Sequence, residues 1–286
     1  MTPGSSSAAT VPRSVDSFVV ASFNLHWGVD RDARPFDVLG ACLALDPDVL
    51  VLQEAWRPAR GRAVVDDLAA ALGAVPHELP LASDTNPARP RGLRPPAGAP
   101  GTCGLAVLSR LPVLARTDVD LGHAPGDVIR RRHGLCVTIR PPGGSPDAAP
   151  VTVAAVHASH RLWGSLPQLR RLDAALKTIA AGPSVIAGDC NMWGTVIAPV
   201  LRHRRRAVRG ATWPAGRPHS QIDHIWISDG FEVLDGGVGP ATGSDHRPVW
   251  ARLRVRAGAG TAGGTRRIGI PEPGRGPAVP AFSEPS

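Results

Sequence analysis

Short apolar runs, repeated along most of the chain, limit more than any other feature what this sequence can fold into. Residues 18–25, 48–53, 105–109, 113–119, 135–140, 151–157, 185–187, 222–227 and 249–255 are runs of this kind. A near-continuous apolar stretch of roughly four to eight residues is the pattern of a strand covered on both faces. Such strands need a packing layer above and below, so a sheet with one wet side does not fit. Helical spacing interrupts the runs at 36–45, which Asp46-Pro47 stops, and at 60–72. Leu166, Leu169, Leu172, Leu176 and Ile179 form a third stripe with the period of a helix packed on a core. Strands alternating with helices predict an α/β class, and 286 residues suffice for one large domain.

The punctuation between the runs sets the expected connections. Arg110-Leu111-Pro112 reads as the turn of a strand pair, 105–109 with 113–119, and the turn-rich stretch 141–150 reads as a hairpin connection. Residues 82–103, rich in Pro, Arg and Gly, read as a long loop. Residues 1–16 and 257–286 have no apolar period and read as disordered tails around a domain of 17–256. No internal repeat is visible along the sequence.

Composition excludes several classes. There is no run of eighteen apolar residues, so no membrane-spanning helix is expected. The first residues lack a basic start followed by an apolar stretch and do not read as a secretory signal. Cys42, Cys103, Cys136 and Cys190 are scattered with no CxxC pair, which argues against a zinc site or a disulfide framework. Reduced thiols in a cytoplasmic monomer are the expectation. The net charge of +8 favours an anionic partner, including nucleic acid. That inference is weak, because 31 of the 32 basic residues are Arg, in a chain also rich in Ala, Gly and Pro. A GC-rich coding sequence produces this composition whatever the function.

How the runs end carries the chemistry. Asn24 ends the first, Glu54 follows Gln53 at the end of the second, and His157 closes 151–157. Gly188-Asp189-Cys190-Asn191 follows 185–187, Asp223 stands in Ile222-Asp223-His224, and Ser244-Asp245-His246 precedes 249–255. Read singly, Asn24 could be a turn residue, Glu54 a solvated strand end and Gly-Asp-x-Asn a β-turn. Together, two carboxamides, four carboxylates and two or three imidazoles (His26 being the third) stand at the ends of separate strands. This is the composition of a converging active site. Cys190 has no partner that would make it a nucleophile and reads as a small buried hydrophobe. His160 reads as a loop residue and His224 as a packing residue.

In motif order, over residues 17–256, these segments resemble the endonuclease/exonuclease/phosphatase superfamily of magnesium-dependent phosphoesterases. The resemblance implies a four-layer α/β sandwich, two packed mixed sheets flanked by helices, with the site at one edge. It implies hydrolysis of a phosphodiester by in-line attack of water, with Mg2+ or Mn2+ as cofactor. Magnesium takes oxygen ligands, usually with only one or two carboxylates, and Asn24 and Glu54, with Asp245, match the expected ligands. Asp189, Asn191 and His157 would position phosphate and water. Asp223 would orient His246 as general base, with Asp189 the alternative base. Asn24-Leu25-His26-Trp27-Gly28 departs from the Asn-x-x-Gly-Leu-Arg of abasic-site nucleases, and the chain has no Tyr, so a DNA-repair role is not implied. A nuclease remains the alternative enzyme. A non-catalytic phosphate-binding module would predict a broken site, whereas every principal motif is present.

Two basic clusters, residues 130–133 and 202–206, read either as solvated faces or as a rim that tracks phosphate, with Arg130 and Arg131 as substrate-binding candidates. Trp27, Trp56 and Trp193 each follow a site motif closely, so they are candidate pocket walls, Trp193 above all.

Overall fold

In the computed structural model every residue of β1 (Ser17–Asn24) is buried, as a strand covered on both sides requires. The structure describes residues 15–83, 100–127, 129, 131–143 and 149–258. Within them follow α1 (Val38–Leu43), β2 (Val49–Pro58), α2 (Val64–Leu72), β3 (Val75–Ser83), β4 (Gly101–Ser109), β5 (Val113–Gly122) and β6 (Arg132–Ile139). The second half holds β7 (Val151–His157), α3 (Leu162–Ile179), β8 (Ser184–Asp189), α4 (Gly194–Ile197), β9 (Arg204–Arg206), β10 (Asp223–Ser228), β11 (Phe231–Val238) and β12 (Val249–Val255).

The strands form two six-stranded mixed sheets, β11-β12-β1-β2-β4-β3 and β5-β6-β7-β8-β10-β9. Both are built on one plan. A parallel pair lies at the centre, β1 with β2 in one sheet and β7 with β8 in the other. An antiparallel hairpin flanks one side of each pair, β12–β11 and β6–β5. The other side carries an antiparallel strand and then an edge strand, β4–β3 and β10–β9. The halves are equivalent in topology although the sequence shows no repeat.

Side chains alternate across each strand, and the alternation sorts them into three apolar layers. Phe18, Val20, Val49, Val51, Leu105 and Val107 of the first sheet pack on Leu135, Val137, Val153, Val185, Ala187 and Ile225 of the second. The opposite faces meet helices: Ala21, Phe23 and Leu50 pack with Cys42, Val65 and Leu68 of α1 and α2. Ala154, Val156 and Ile186 pack with Leu169, Leu172 and Leu176 of α3 and Ile197 of α4. The result is the expected α/β sandwich of four layers.

Several local expectations are corrected. Runs 105–109 and 113–119 do not pair. Both edges of β4 are taken by β2 and β3, so Arg110-Leu111-Pro112 carries the chain to the other sheet, where β5 pairs with β6. β2 continues past Gln53 to Pro58, and α2 begins at Val64 rather than residue 60. The expected loop 82–103 contributes its ends to β3 and β4. Its centre, 84–99, lies outside the described residues, as do residues 1–14 and 259–286 of the expected tails and Arg130. Among the described residues, no helix is long and apolar enough to cross a membrane.

Each arginine of β9 is engaged within the protein, where the sequence offered a solvated face or a phosphate-tracking rim. The Arg204 side chain is covered; it donates to Asp173 Oδ1 at 2.6 Å and to Ser184 O and Oγ at 3.0 Å each. Arg205 donates to Phe231 O at 2.6 Å, and Arg206 reaches Gln221 Oε1 and lies over the Trp226 ring. Arg204→Ala should lower the melting temperature, because Ser184 O and Oγ lose their donor and Asp173 keeps only Lys177, at 3.0 Å. Loss of substrate affinity at unchanged stability would instead restore the rim reading.

Candidate active site

The carboxyl ends of the central parallel strands meet at one edge of the sandwich, where ligands of open α/β sheets commonly bind. Asn24 ends β1, His157 ends β7 and Asp189 ends β8, with His157 and Asp189 in register. Asp223 opens antiparallel β10 opposite Asp189, and Ser244–His246 leads into β12. Gly188 makes the close approach of β8 to β7 possible. A Cβ there would stand 1.9 Å from Val156 O, at φ +146°.

Glu54 reaches this edge through a distortion. Regular alternation turns Gln53 inward, where it bonds Ser22 Oγ at 3.2 Å, and would turn Glu54 toward the helices. The β2–β4 register shifts between Leu52 and Ala55, and Glu54 adopts φ 50°. This bulge brings two consecutive side chains to the site side. His26, Trp27 and Asn191 also have positive φ, 45°, 57° and 49°. Strain of this kind gathers where a fold must aim side chains.

A cavity of about 680 Å³ opens over these residues, lined by Glu54, His157, Asp189, Asn191, Asp245 and His246 among others. Asp189 is nearly fully buried and firmly held. Its Oδ1 accepts from Asn191 N at 2.8 Å, and its Oδ2 accepts from Asn24 Nδ2 at 3.1 Å and Asn191 Nδ2 at 3.3 Å. His246 Nδ1 lies 2.9 and 3.1 Å from the Asp223 oxygens, with Nε2 3.8 Å from Asp189 Oδ2. His157 Nε2 stands 3.6 Å from Asp189 Oδ2 and 3.9 Å from Glu54 Oε1.

The electrostatics follow from four carboxylates meeting at one cavity, Asp189 and Asp223 of them buried. Burial opposes a charged His246, but the carboxylates of Asp223, Asp189 and Asp245 outweigh it and lift its pKa to about 10. Burial pushes Asp189 up to about 7, with nearby Asp223 adding to the rise and His246 opposing it. Burial raises Glu54 as well, with His26 and His246 opposing. His157 is driven well below its ordinary value by burial and by Arg132, so it stays neutral.

Two carboxylate oxygens in this cavity, Glu54 Oε2 and Asp245 Oδ1, are buried with no hydrogen-bond partner. Asp189, Asp223 and His246 place ligand atoms within 4.8 Å of one another. Their bonding capacity, however, is largely committed to each other and to Asn24 and Asn191. The uncommitted oxygens of Glu54 and Asp245, with the neighbouring Asn24 Oδ1, are the better donors for a hard cation. Asn24 Oδ1 already accepts from His26 N at 3.1 Å and keeps a second lone pair.

Arg132, read from the sequence only as one member of the basic cluster 130–133, is neither a solvated face nor an exposed rim. It is 2% exposed, forks onto Asp127 at 2.8 and 3.0 Å, donates to His157 O at 3.1 Å, and lines the cavity. No periodic signal links Asp127 to Arg132, which meet within one short connection, and Arg132 reaches His157 because β6 starts beside the end of β7. Arg131 is exposed, paired with Asp120, and not among the side chains that line the cavity. Trp193 lines it; Trp27 lines it from a buried position, its Nε1 donating to Cys103 Sγ at 3.2 Å. Trp56 packs behind Trp27. His224 donates Nε2–H to Met192 O at 3.0 Å on the helix side, as a packing residue does. His160 lines the cavity, 3.8 Å from Asp127. Cys190 is fully buried, and burial raises its thiol pKa well above the usual range, so it is no nucleophile.

The fold and this edge define a phosphoesterase-type α/β sandwich. The chain belongs to the endonuclease/exonuclease/phosphatase family, whose model matches residues 21–246. Members of that family are usually hydrolases of phosphoesters. A solved endonuclease/exonuclease/phosphatase from Beutenbergia cavernae is 26% identical, with a TM-score of 0.62 over 84% of this chain and 72% of that one. The human Nocturnin catalytic domain is 16% identical, at TM-score 0.60 over 84% and 95%. A humanized D. rerio TDP2 is 17% identical, at 0.58 over 84% and 100%. Both of the latter share the fold. No curated protein matches the chain.

Proposed function

We propose that this protein is a magnesium-dependent phosphodiesterase acting by in-line attack of water. The pair of orphaned buried carboxylate oxygens, Glu54 Oε2 and Asp245 Oδ1, carries this reading. A buried acceptor without a donor is costly, and two in one cavity beside Asp189 and Asp223 call for a dication. Asn24, Glu54 and Asp245 would hold it. Bound there, Mg2+ would offset the carboxylate charge and polarise the phosphoryl oxygens.

The chain's own groups do the rest. Asp189 and Asn191, joined by two hydrogen bonds, with Asn191 Nδ2 also donating to Ala158 O, orient the attacking water and one phosphoryl oxygen. Neutral His157 donates to a non-bridging oxygen, and Arg132 fixes it through its carbonyl. With part of the carboxylate charge that lifts the His246 pKa offset by a dication on Glu54 and Asp245, Asp223, holding Nδ1–H, would direct a neutral Nε2 into the cavity to accept the proton of water. Asp223 then supports the imidazolium, the part of an orienting carboxylate in a catalytic triad.

The test is a panel with Mg2+ or Mn2+: bis(4-nitrophenyl) phosphate, 4-nitrophenyl phosphate, plasmid DNA, single-stranded RNA and inositol phosphates. The diester should turn over faster than the monoester. No metal-stimulated hydrolysis of any member would overturn the proposal.

A further inference from the structure

Once the catalytic polar groups are assigned, the cavity lining that is left is mostly apolar and includes Leu81, Ile129, Leu162, Met192, Trp193 and Trp213. Trp193 is 57% exposed and Trp213 36%. Indoles are usually well covered in folded proteins, so two open rings on one cavity mark a surface for another molecule. Each ring is anchored by its one polar atom. Trp193 Nε1 donates to Ser220 Oγ at 3.2 Å, and Trp213 Nε1 donates to Asp245 Oδ2 at 3.4 Å. Trp213 also bridges Ser220 through the backbone, and His219 meets its indole edge-on, centroids 5.8 Å apart. The polar edges face the protein, and the exposed area is flat carbon beside a carboxylate proposed to hold the cation.

Charge argues against a long polyanion on this wall. Nucleic-acid strands are held chiefly by cations on successive phosphates. Among the described lining residues Arg132 is the one guanidinium, and it is paired with Asp127. Arg131 is engaged by Asp120 and Arg204 by Asp173. Among the described residues, this lining fits one phosphate group with a flat neighbour better than a row of phosphates.

We infer that Trp193 and Trp213 form a stacking wall that selects a small phosphodiester bearing a planar aromatic group on its phosphate. This rests on the phosphodiesterase reading above. An aromatic stack is worth about tenfold in affinity or more, a preference that an unspecific greasy surface would not show.

The test compares phenyl phosphate with cyclohexyl phosphate, matched in size and charge but not in planarity, by calorimetry with Mg2+ present and inorganic phosphate as control. Phenyl phosphate should bind the wild type about tenfold tighter than cyclohexyl phosphate. Trp193→Ala should abolish that difference and leave inorganic phosphate binding unchanged, whereas Trp193→Phe should keep most of it. Equal binding of the two esters, or a Trp193→Ala variant that weakens all three ligands alike, would overturn the wall. So would tight, steeply salt-dependent binding of an oligothymidylate. If phenyl phosphate shows the preference but no diester is hydrolysed, the stacking wall stands and the phosphodiesterase reading fails.

Discussion

His246→Ala should lower kcat/KM on a reactive diester by about 10²–10⁴-fold, the usual worth of a positioned general base. Metal affinity should change little, because Asn24, Glu54 and Asp245 are untouched. Asp223→Asn keeps the shape but removes the charge 2.9 Å from Nδ1, so its cost should approach that of His246→Ala. Both residues serve one proton transfer, so the double variant should be little worse than either single one. A double-variant cycle at saturating Mg2+ measures this. Additive losses would separate the two residues and move the base to Asp189, which burial already holds near pH 7.

Removing the metal should abolish turnover. Dialysis against EDTA should reduce hydrolysis to background, and Mg2+ or Mn2+ should restore it. A ligand that binds only the folded state stabilises it, by about 2.7 kcal/mol at a hundredfold excess over Kd. Mg2+ should therefore raise the melting temperature of the wild type. Glu54→Gln should bind Mg2+ more weakly, lose most of that rise, and regain part of its activity at high Mg2+. Without metal the variant should be at least as stable as the wild type, since it removes the charge from a carboxylate whose Oε2 is buried with no donor. Full turnover in a thoroughly chelated sample, or a Mg2+ effect that survives Glu54→Gln unaltered, would sink the assignment.

The central strands were legible because they are buried on both sides and had to be apolar. β3, β9 and β11 were not. β3 carries Pro76, His77, Glu78 and Pro80, and only an edge strand tolerates such residues. β9 is all arginine, and β11 contains Gly236-Gly237. The strand-end residues were legible for the same reason as the core, since a polar residue after an apolar run must sit at a sheet edge. What could not be read was aim. Strict alternation sends Glu54 to the wrong face, and only the φ of 50° in the bulge returns it to the cavity. The fate of the arginines was hidden too. Charge patterns do not distinguish Arg204 under a sheet edge from a solvated rim, because the difference lies in Asp173, thirty-one positions away.

The strand order has a consequence for timing. β12, which His246 leads into, pairs with β1 at the opposite end of the chain, and Ser244 Oγ donates to Asn24 O at 2.7 Å across 220 positions. Asn24, Glu54, His157, Asp189 and Asp223 all leave the ribosome before this segment does. On the proposed roles, the growing polypeptide carries an incomplete site until its last strand closes the first sheet. Competence for chemistry then arrives in the same event that finishes the fold, so a partly made chain would be catalytically mute.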